Sequence, residues 1–132
     1  MSSHETFPER IREHYAALLA GDEAAYAALV HEDFVQEWPQ SGERVRGKAA
    51  CLNIARNYPG GPPQITLGRV SGAGDHWVVE GTSRYPDGTD WHIVAVLELR
   101  DGKVARETDY FGPTYPAPEW RQQWVEPIVA PA

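Results

Sequence analysis

A chain of 132 residues, 42% hydrophobic and 23% charged, is long enough for one domain with a real core and has the composition of an ordinary soluble protein. Its formal net charge is -7 and no basic residues cluster, which argues against nucleic acid and membrane surfaces as partners. A single cysteine, Cys51, excludes a disulfide framework and a multi-cysteine metal site, and no apolar run approaches the roughly 20 residues of a membrane span. Residues 1–5 show no basic stretch followed by an apolar run, so the sequence reads as cytoplasmic.

Residues 8–20 have helical periodicity, with Thr6 as cap, Pro8 in the first turn and Gly21 as the stop. Ile11, Tyr15, Leu18 and Leu19 form the core stripe, and His14 lies on its Ile11/Leu18 edge. Asp22 caps a second helix over 23–30 that carries Tyr26. A short strand over 34–38 puts Phe34, Gln36 and Trp38 on one face, followed by a turn over Gln40–Arg44. A third helix over 48–58 is broken by Pro59-Gly60-Gly61-Pro62-Pro63.

Four strands follow, near 65–71, 76–85, 91–100 and 103–111, joined by short turns that imply antiparallel hairpins. Alternation in the third of these puts Trp91, Ile93, Ala95, Leu97 and Leu99 on one face, and His92, Val94, Val96 and Glu98 on the other. That second face is half apolar, which points to a homodimer. In 76–85 either face could point inward; the set Trp77, Val79, Gly81, Ser83 and Tyr85 is the more apolar. In the last strand Ala105, Glu107, Asp109 and Phe111 share a side, opposite Val104, Arg106, Thr108 and Tyr110. Beyond it, residues 112–132 form a proline-rich arm with Tyr115, Trp120 and Trp124, expected to fold back over the body or a dimer seam, with Arg121 reaching an acidic partner.

Helices first and an antiparallel sheet after give an α+β fold. The pieces Tyr15–Asp22, His31–Phe34, Gly47–Ala50, and Asp101–Val104 running into Asp109–Phe111 resemble, in this order and spacing, the nuclear transport factor 2-like superfamily in its SnoaL-like and ketosteroid isomerase-like branch. The resemblance implies a single cone-shaped domain: a curved, mainly antiparallel sheet wrapped around three N-terminal helices and enclosing a cavity, often as a homodimer. It also implies that Glu107, Asp109 and Phe111 point into the cone. Fold does not fix function here, because the superfamily hosts isomerases, hydrolases, cyclases, dehydratases and binders.

Ketosteroid isomerases place a tyrosine donor on the first helix, where this chain has His14 with Tyr15 beside it. Their general-base aspartate corresponds to Trp38 and their second aspartate falls near Ala95, which argues against steroid isomerisation by that route. Epoxide hydrolases of the limonene type carry a last-strand aspartate that matches Asp109, but their Arg-x-Asp partner falls near Gly81 and Ser83. SnoaL-type cyclases use a cavity Asp/His pair, which Asp109 could form with His14 or His92.

Each candidate also has a plain structural reading. Asp109 could bond backbone or arginine at a rim, and Glu107 could pair with Arg84 or Arg44. His14 could be a satisfied core residue, and His4, His31 and His76 read as surface. No pair of histidines has metal-binding spacing, and Cys51 reads as an inert helix residue. The sequence therefore points to a cofactor-free acid–base enzyme, an isomerase, cyclase, lyase or hydrolase, acting on an uncharged, mostly apolar small molecule. Asp109, His14, Tyr15 and Glu107 are the candidate catalytic residues, and Trp38, Trp91, Phe111, Gln36 and Tyr26 the candidate ligand contacts. The alternative is a non-catalytic binder or dimeric scaffold.

Overall fold

The computed structural model describes residues 6–128. Helix α1 (Phe7–Ala20) begins with a complete capping box, in which the Thr6 hydroxyl accepts from Glu9 N–H and the Glu9 carboxylate accepts from Thr6 N–H. It ends on Gly21 in the left-handed conformation, φ 69°. Helix α2 (Glu23–Leu29) is capped by Asp22 and runs into strand β1 (Val30–Trp38). A short strand β2 (Glu43–Arg46) pairs with β1, so the segment expected as a turn through Arg44 closes into a hairpin instead. Helix α3 (Lys48–Arg56) stops two residues earlier than expected and leaves Tyr58 on the following loop.

The remaining strands are β3 (Gln64–Ala73), β4 (His76–Arg84), β5 (Asp90–Arg100) and β6 (Lys103–Pro113). They form one six-stranded sheet in the order β2-β1-β6-β5-β4-β3, antiparallel except for the parallel β1–β6 pair. The chain is thus the α+β fold anticipated, with three helices packed on one face of the sheet. The core on that face is built from Ile11, Tyr26, Val30, Phe34, Leu52, Val79 and Leu97, each at most 3% exposed. Among the described residues no helix is long and apolar enough to cross a membrane.

Two local features matter, the first as expected and the second not. On β4 the odd-numbered residues face the core: Val79 and Ser83 are buried while Thr82 and Arg84 are exposed. On β6 the expected alternation fails at its start, where Val104 and Ala105 are both buried. A register shift against Glu98/Leu99 inserts one extra residue there. It restores the phase so that Glu107 and Asp109 face inward.

The arm does not cover its own chain. Thr114 N–H donates to the Asp90 carbonyl, but beyond it Tyr115, Trp120 and Trp124 are 73%, 73% and 72% exposed. The helical turn expected there is a 3-10 helix (Glu119–Trp124), and Arg121 lies over the Trp120 ring rather than against an acidic group of the body. Its final residues, 129–132, lie outside the described residues.

Candidate functional site

Between the helices and the concave side of the sheet lies a cavity of about 70 Å³, counted as space for the centre of a water molecule. A single water needs about 10–15 Å³ on that measure, so several non-hydrogen atoms fit. Its walls are apolar side chains from every layer: Leu18 and Leu19 of α1, Ile54 and Ala55 of α3, Ile65 and Leu67 of β3, Val79 of β4, and Ile93 of β5. Small residues create the space. Ala95 sits opposite Asp109 in the β5–β6 ladder, and Gly81 opposite Ile93 in the β4–β5 ladder. A Cβ on Gly81 would stand 2.8 Å from the Thr66 carbonyl oxygen, so the close approach of β3 at this point requires glycine. Towards the mouth the lining turns aromatic, with Trp38, Tyr58, Tyr85 and Phe111.

Two carboxyls interrupt this apolar wall. Glu107 and Asp109 are 2% and 5% exposed, and both line the cavity. Burial of a carboxylate is costly without donors, and here the donors come from separate elements. The Tyr15 hydroxyl of α1 donates to Glu107 Oε2 at 3.1 Å. Gln36, the neighbour of Glu107 in the parallel β1–β6 pair, divides its amide hydrogens between Glu107 Oε2 at 3.4 Å and Asp109 Oδ2. Trp38 Nε1–H donates to the same Asp109 Oδ2 at 3.3 Å. The Gln36 amide is itself oriented by the Cys51 thiol, whose Sγ lies 3.5 Å from Gln36 Oε1. Tyr26 lies beside Cys51.

Asp109 Oδ1 is buried and has no hydrogen-bond partner among the described residues. Burial and, after it, the charge of Glu107 push the Asp109 pKa well above the usual carboxylate range. Glu107 is also raised by burial, but hydrogen bonds from Asp109 and Tyr15 oppose the shift. Each carboxyl accepts from two donors, but only Asp109 is pushed up by its neighbour's charge as well as by burial, so a proton held by the pair resides on Asp109 and Glu107 carries the charge. The groups around them are neutral at neutral pH. Burial pushes Cys51 up to about 11 and Tyr58 up to about 12, and it raises Tyr15 and Tyr26 still further above their ordinary range.

His14 is 1% exposed, with Nε2 at 3.5 Å from Glu107 Oε1. Burial lowers its pKa to about 4, outweighing the attraction of Asp109, so the contact is one of neutral imidazole with carboxylate and not an ion pair at neutral pH. Its Nδ1 finds no partner, and its ring packs on those of Tyr15 and Tyr26 at 4.9 and 5.3 Å.

The structure thus brings Glu107, Asp109, Tyr15, Gln36, Trp38 and Phe111 together in the cavity wall. His14 and Tyr26 stand behind that wall, and Trp91 lies outside the main cavity, beside Phe111 and Tyr85 at its mouth. His92 is exposed on the opposite face of the sheet, which removes it as a partner for Asp109. Neither arginine considered for Glu107 reaches it: Arg84 pairs with Asp90 at 2.8 Å and Arg44 with Glu37 at 2.7 Å. His76 is exposed, His31 is half-buried beside Asp33 and Asp101, and His4 lies outside the described residues. Sequence reasoning missed the part played by Cys51 and the contribution of Tyr58 to the wall, and it put Tyr85 on an inward face without making it a ligand contact. Among the described residues, no group of three or more His, Cys, Asp or Glu could hold a metal ion.

Comparison with known proteins agrees with this architecture. An NTF-2 like protein of unknown function from Burkholderia xenovorans is 35% identical, with 92% of this chain and 94% of that one aligned at a TM-score of 0.79. A ketosteroid isomerase candidate from Kribbella flavida is 32% identical, covering 92% of this chain and 88% of that one, at a TM-score of 0.78. The uncharacterised protein YesE of Bacillus subtilis is 26% identical over 129 residues, covering 86% of each chain. The SnoaL-like domain matches residues 11–107, a span that runs from the first core residue of α1 to the first carboxylate of the pair, and the chain belongs to that family within the NTF2-like fold.

Proposed function

We propose that the cavity binds a small, mostly apolar organic molecule and that the Glu107–Asp109 pair performs acid–base chemistry on it without a cofactor. The observation that carries this reading is Asp109 Oδ1, a buried carboxyl oxygen in the cavity wall that accepts from no donor among the described residues. Asp109 Oδ2 already accepts from Gln36 and Trp38, so the proton of the neutral acid belongs on Oδ1, shared with Glu107 until a ligand receives it. Donation leaves two negative charges side by side in an apolar site, which favours return of the proton later in the cycle. Tyr15 and Gln36 position Glu107, and His14, tucked behind it, supports it from the helix side. Isomerisation, cyclisation, hydrolysis and elimination all fit one proton donor working beside one carboxylate.

The test is a screen by proton NMR in deuterated buffer, using small carbonyl compounds, enols and epoxides, for deuterium uptake or product. For any compound turned over, Asp109→Asn should slow the reaction by about 100-fold or more. Turnover that survives this substitution unchanged would remove Asp109 from the chemistry. A second reading, binding without catalysis, is favoured by the side chains at positions where related enzymes hold their partners: Trp38, Gly81 and Ser83 provide neither a base nor an arginine. The reading extends to the assembly. The outer face of the sheet exposes Val94 at 38% and Tyr110 at 47%, the arm exposes Trp120 and Trp124, and a second copy of this chain is the proposed partner.

A further inference from the structure

The charge balance of the cavity says more about the ligand than its size does. Every polar group that reaches the wall is neutral or acidic: Tyr15, Gln36, Trp38, Cys51, Tyr58, Tyr85, Glu107 and Asp109. Among the described residues no lysine or arginine lines it, and His14, 3.5 Å from Glu107, faces it as a neutral ring. One proton between two carboxyls still leaves one buried negative charge with hydrogen-bond donors but no counter-charge. A chain that buries a charge ordinarily pairs it with an opposite one.

We infer that the ligand supplies the missing charge: the cavity is built for a small alkylammonium group, held by the Glu107–Asp109 pair at its base and by aromatic faces around it. Glu107, which keeps the charge of the pair and lines the cavity, is the acceptor for the ammonium N–H, with the neutral Asp109 beside it. Trp38, Tyr58, Tyr85 and Phe111 line the same space, and an aromatic face attracts a cation, the more so where water is excluded. The apolar floor of Leu18, Ile65, Leu67 and Ile93 suits alkyl substituents on the nitrogen. An anionic ligand would meet like charge, whereas an ammonium group carried on a carbonyl compound or epoxide would balance the carboxylate. This inference rests on the proposed reading of the cavity as a small-molecule site and names its ligand class.

The pair tert-butylammonium and tert-butanol tests it, because the two have nearly the same shape and differ in charge. Calorimetric titration of the full chain at neutral pH and fixed ionic strength should show the ammonium binding at one site at least about tenfold more tightly than the alcohol. Glu107→Gln should abolish that preference. Phe111→Leu, at the cavity mouth, should weaken the ammonium while leaving the alcohol nearly unchanged, and serves if the buried substitution impairs folding. Equal affinities, or tighter binding of the alcohol, would overturn the inference and leave the small-molecule reading intact. Absence of saturable binding by either ligand, at concentrations where millimolar affinity would be evident, would overturn both. A preference that survives both substitutions would place the cation on the acidic surface and overturn the inference alone.

Discussion

Replacing Asp109 with asparagine should make the protein more stable as the pH rises, a reversal of the usual penalty for altering a buried residue. Asp109 is 5% exposed and its pKa in the fold lies well above the ordinary 3.8, because burial disfavours the charged form and Glu107 repels it. A carboxyl raised in this way binds its proton more tightly when folded than when unfolded. Its contribution is fully present below the unfolded pKa and is lost as pH rises towards the folded one. Across that window the stability falls by about 1.4 kcal/mol per pH unit for one such group. Asparagine keeps the shape, and its oxygen can still accept from Gln36 and Trp38, yet it has no proton to lose. The two proteins should therefore be close in stability near pH 4 and diverge by about 1.4 kcal/mol per unit above it until the folded pKa is passed, so that two units of that window amount to roughly 3 kcal/mol. For a domain of this size that is a difference in Tm of roughly 10 °C. His14 makes the wild-type curve look deceptively flat. Its fall from 6.5 to about 4 stabilises the fold above pH 6.5 and is lost as pH drops towards 4, worth about 3 kcal/mol in the opposite sense. The variant, freed of the Asp109 slope, should show that rise plainly. Urea denaturation from pH 4 to 9 measures both curves. Parallel profiles, with the variant uniformly weaker, would mean that Asp109 is ionised in the folded protein, and the proton-sharing pair would be refuted.

Three further outcomes follow from particular contacts. Tyr15→Phe removes the 3.1 Å donor to Glu107 and should cost about 1–2 kcal/mol in denaturant titrations; an unchanged midpoint would show that the carboxylate does not depend on it. Gly81→Ala would set a methyl 2.8 Å from the Thr66 carbonyl oxygen and should cost about 1–3 kcal/mol while narrowing the cavity, visible as weaker ligand binding; wild-type stability would show that β3 yields easily there. Truncation after Thr114 removes Trp120 and Trp124 and should leave the monomer fold intact, because those side chains are 73% and 72% exposed, while weakening any dimer seen by sedimentation; an unchanged oligomer would remove the arm from the interface.

The parts of the fold that were legible in the sequence are those with local causes. Thr6 with Glu9, Asp22, and Gly21 mark helix ends through hydrogen bonds that close within four residues, so spacing alone identifies them. The parts that were not legible depend on partners distant in the chain. Strand β2 has four residues, three of them charged, and exists because Val45 and its neighbours pair with β1. The bulge at Ala105 is set by the register against Leu99, which no pattern within β6 contains. The aromatics of the arm suggest that it folds back, yet apolar area dictates burial only where a complementary surface lies within reach, and among the described residues Trp120 and Trp124 find none.

The site divides along the same line. Glu107 and Asp109 were visible because they occupy alternate positions in a stripe otherwise built of Ala105 and Phe111, a local contradiction between charge and burial that an ordinary core would not contain. What resolves the contradiction is spread over three other elements: Tyr15 on α1, Gln36 and Trp38 on β1, and Cys51 on α3, which reaches the carboxyls only through the Gln36 amide. Such a network has no signature in spacing, since each member is an ordinary residue for its own helix or strand. Its members share one property that matters for function: all are neutral donors. Neutral donors steady a carboxylate without cancelling its charge, whereas one arginine would have done both. The wall therefore keeps a buried proton and a buried negative charge available to whatever enters, and that combination distinguishes this cavity from an apolar core with two carboxyls trapped inside it.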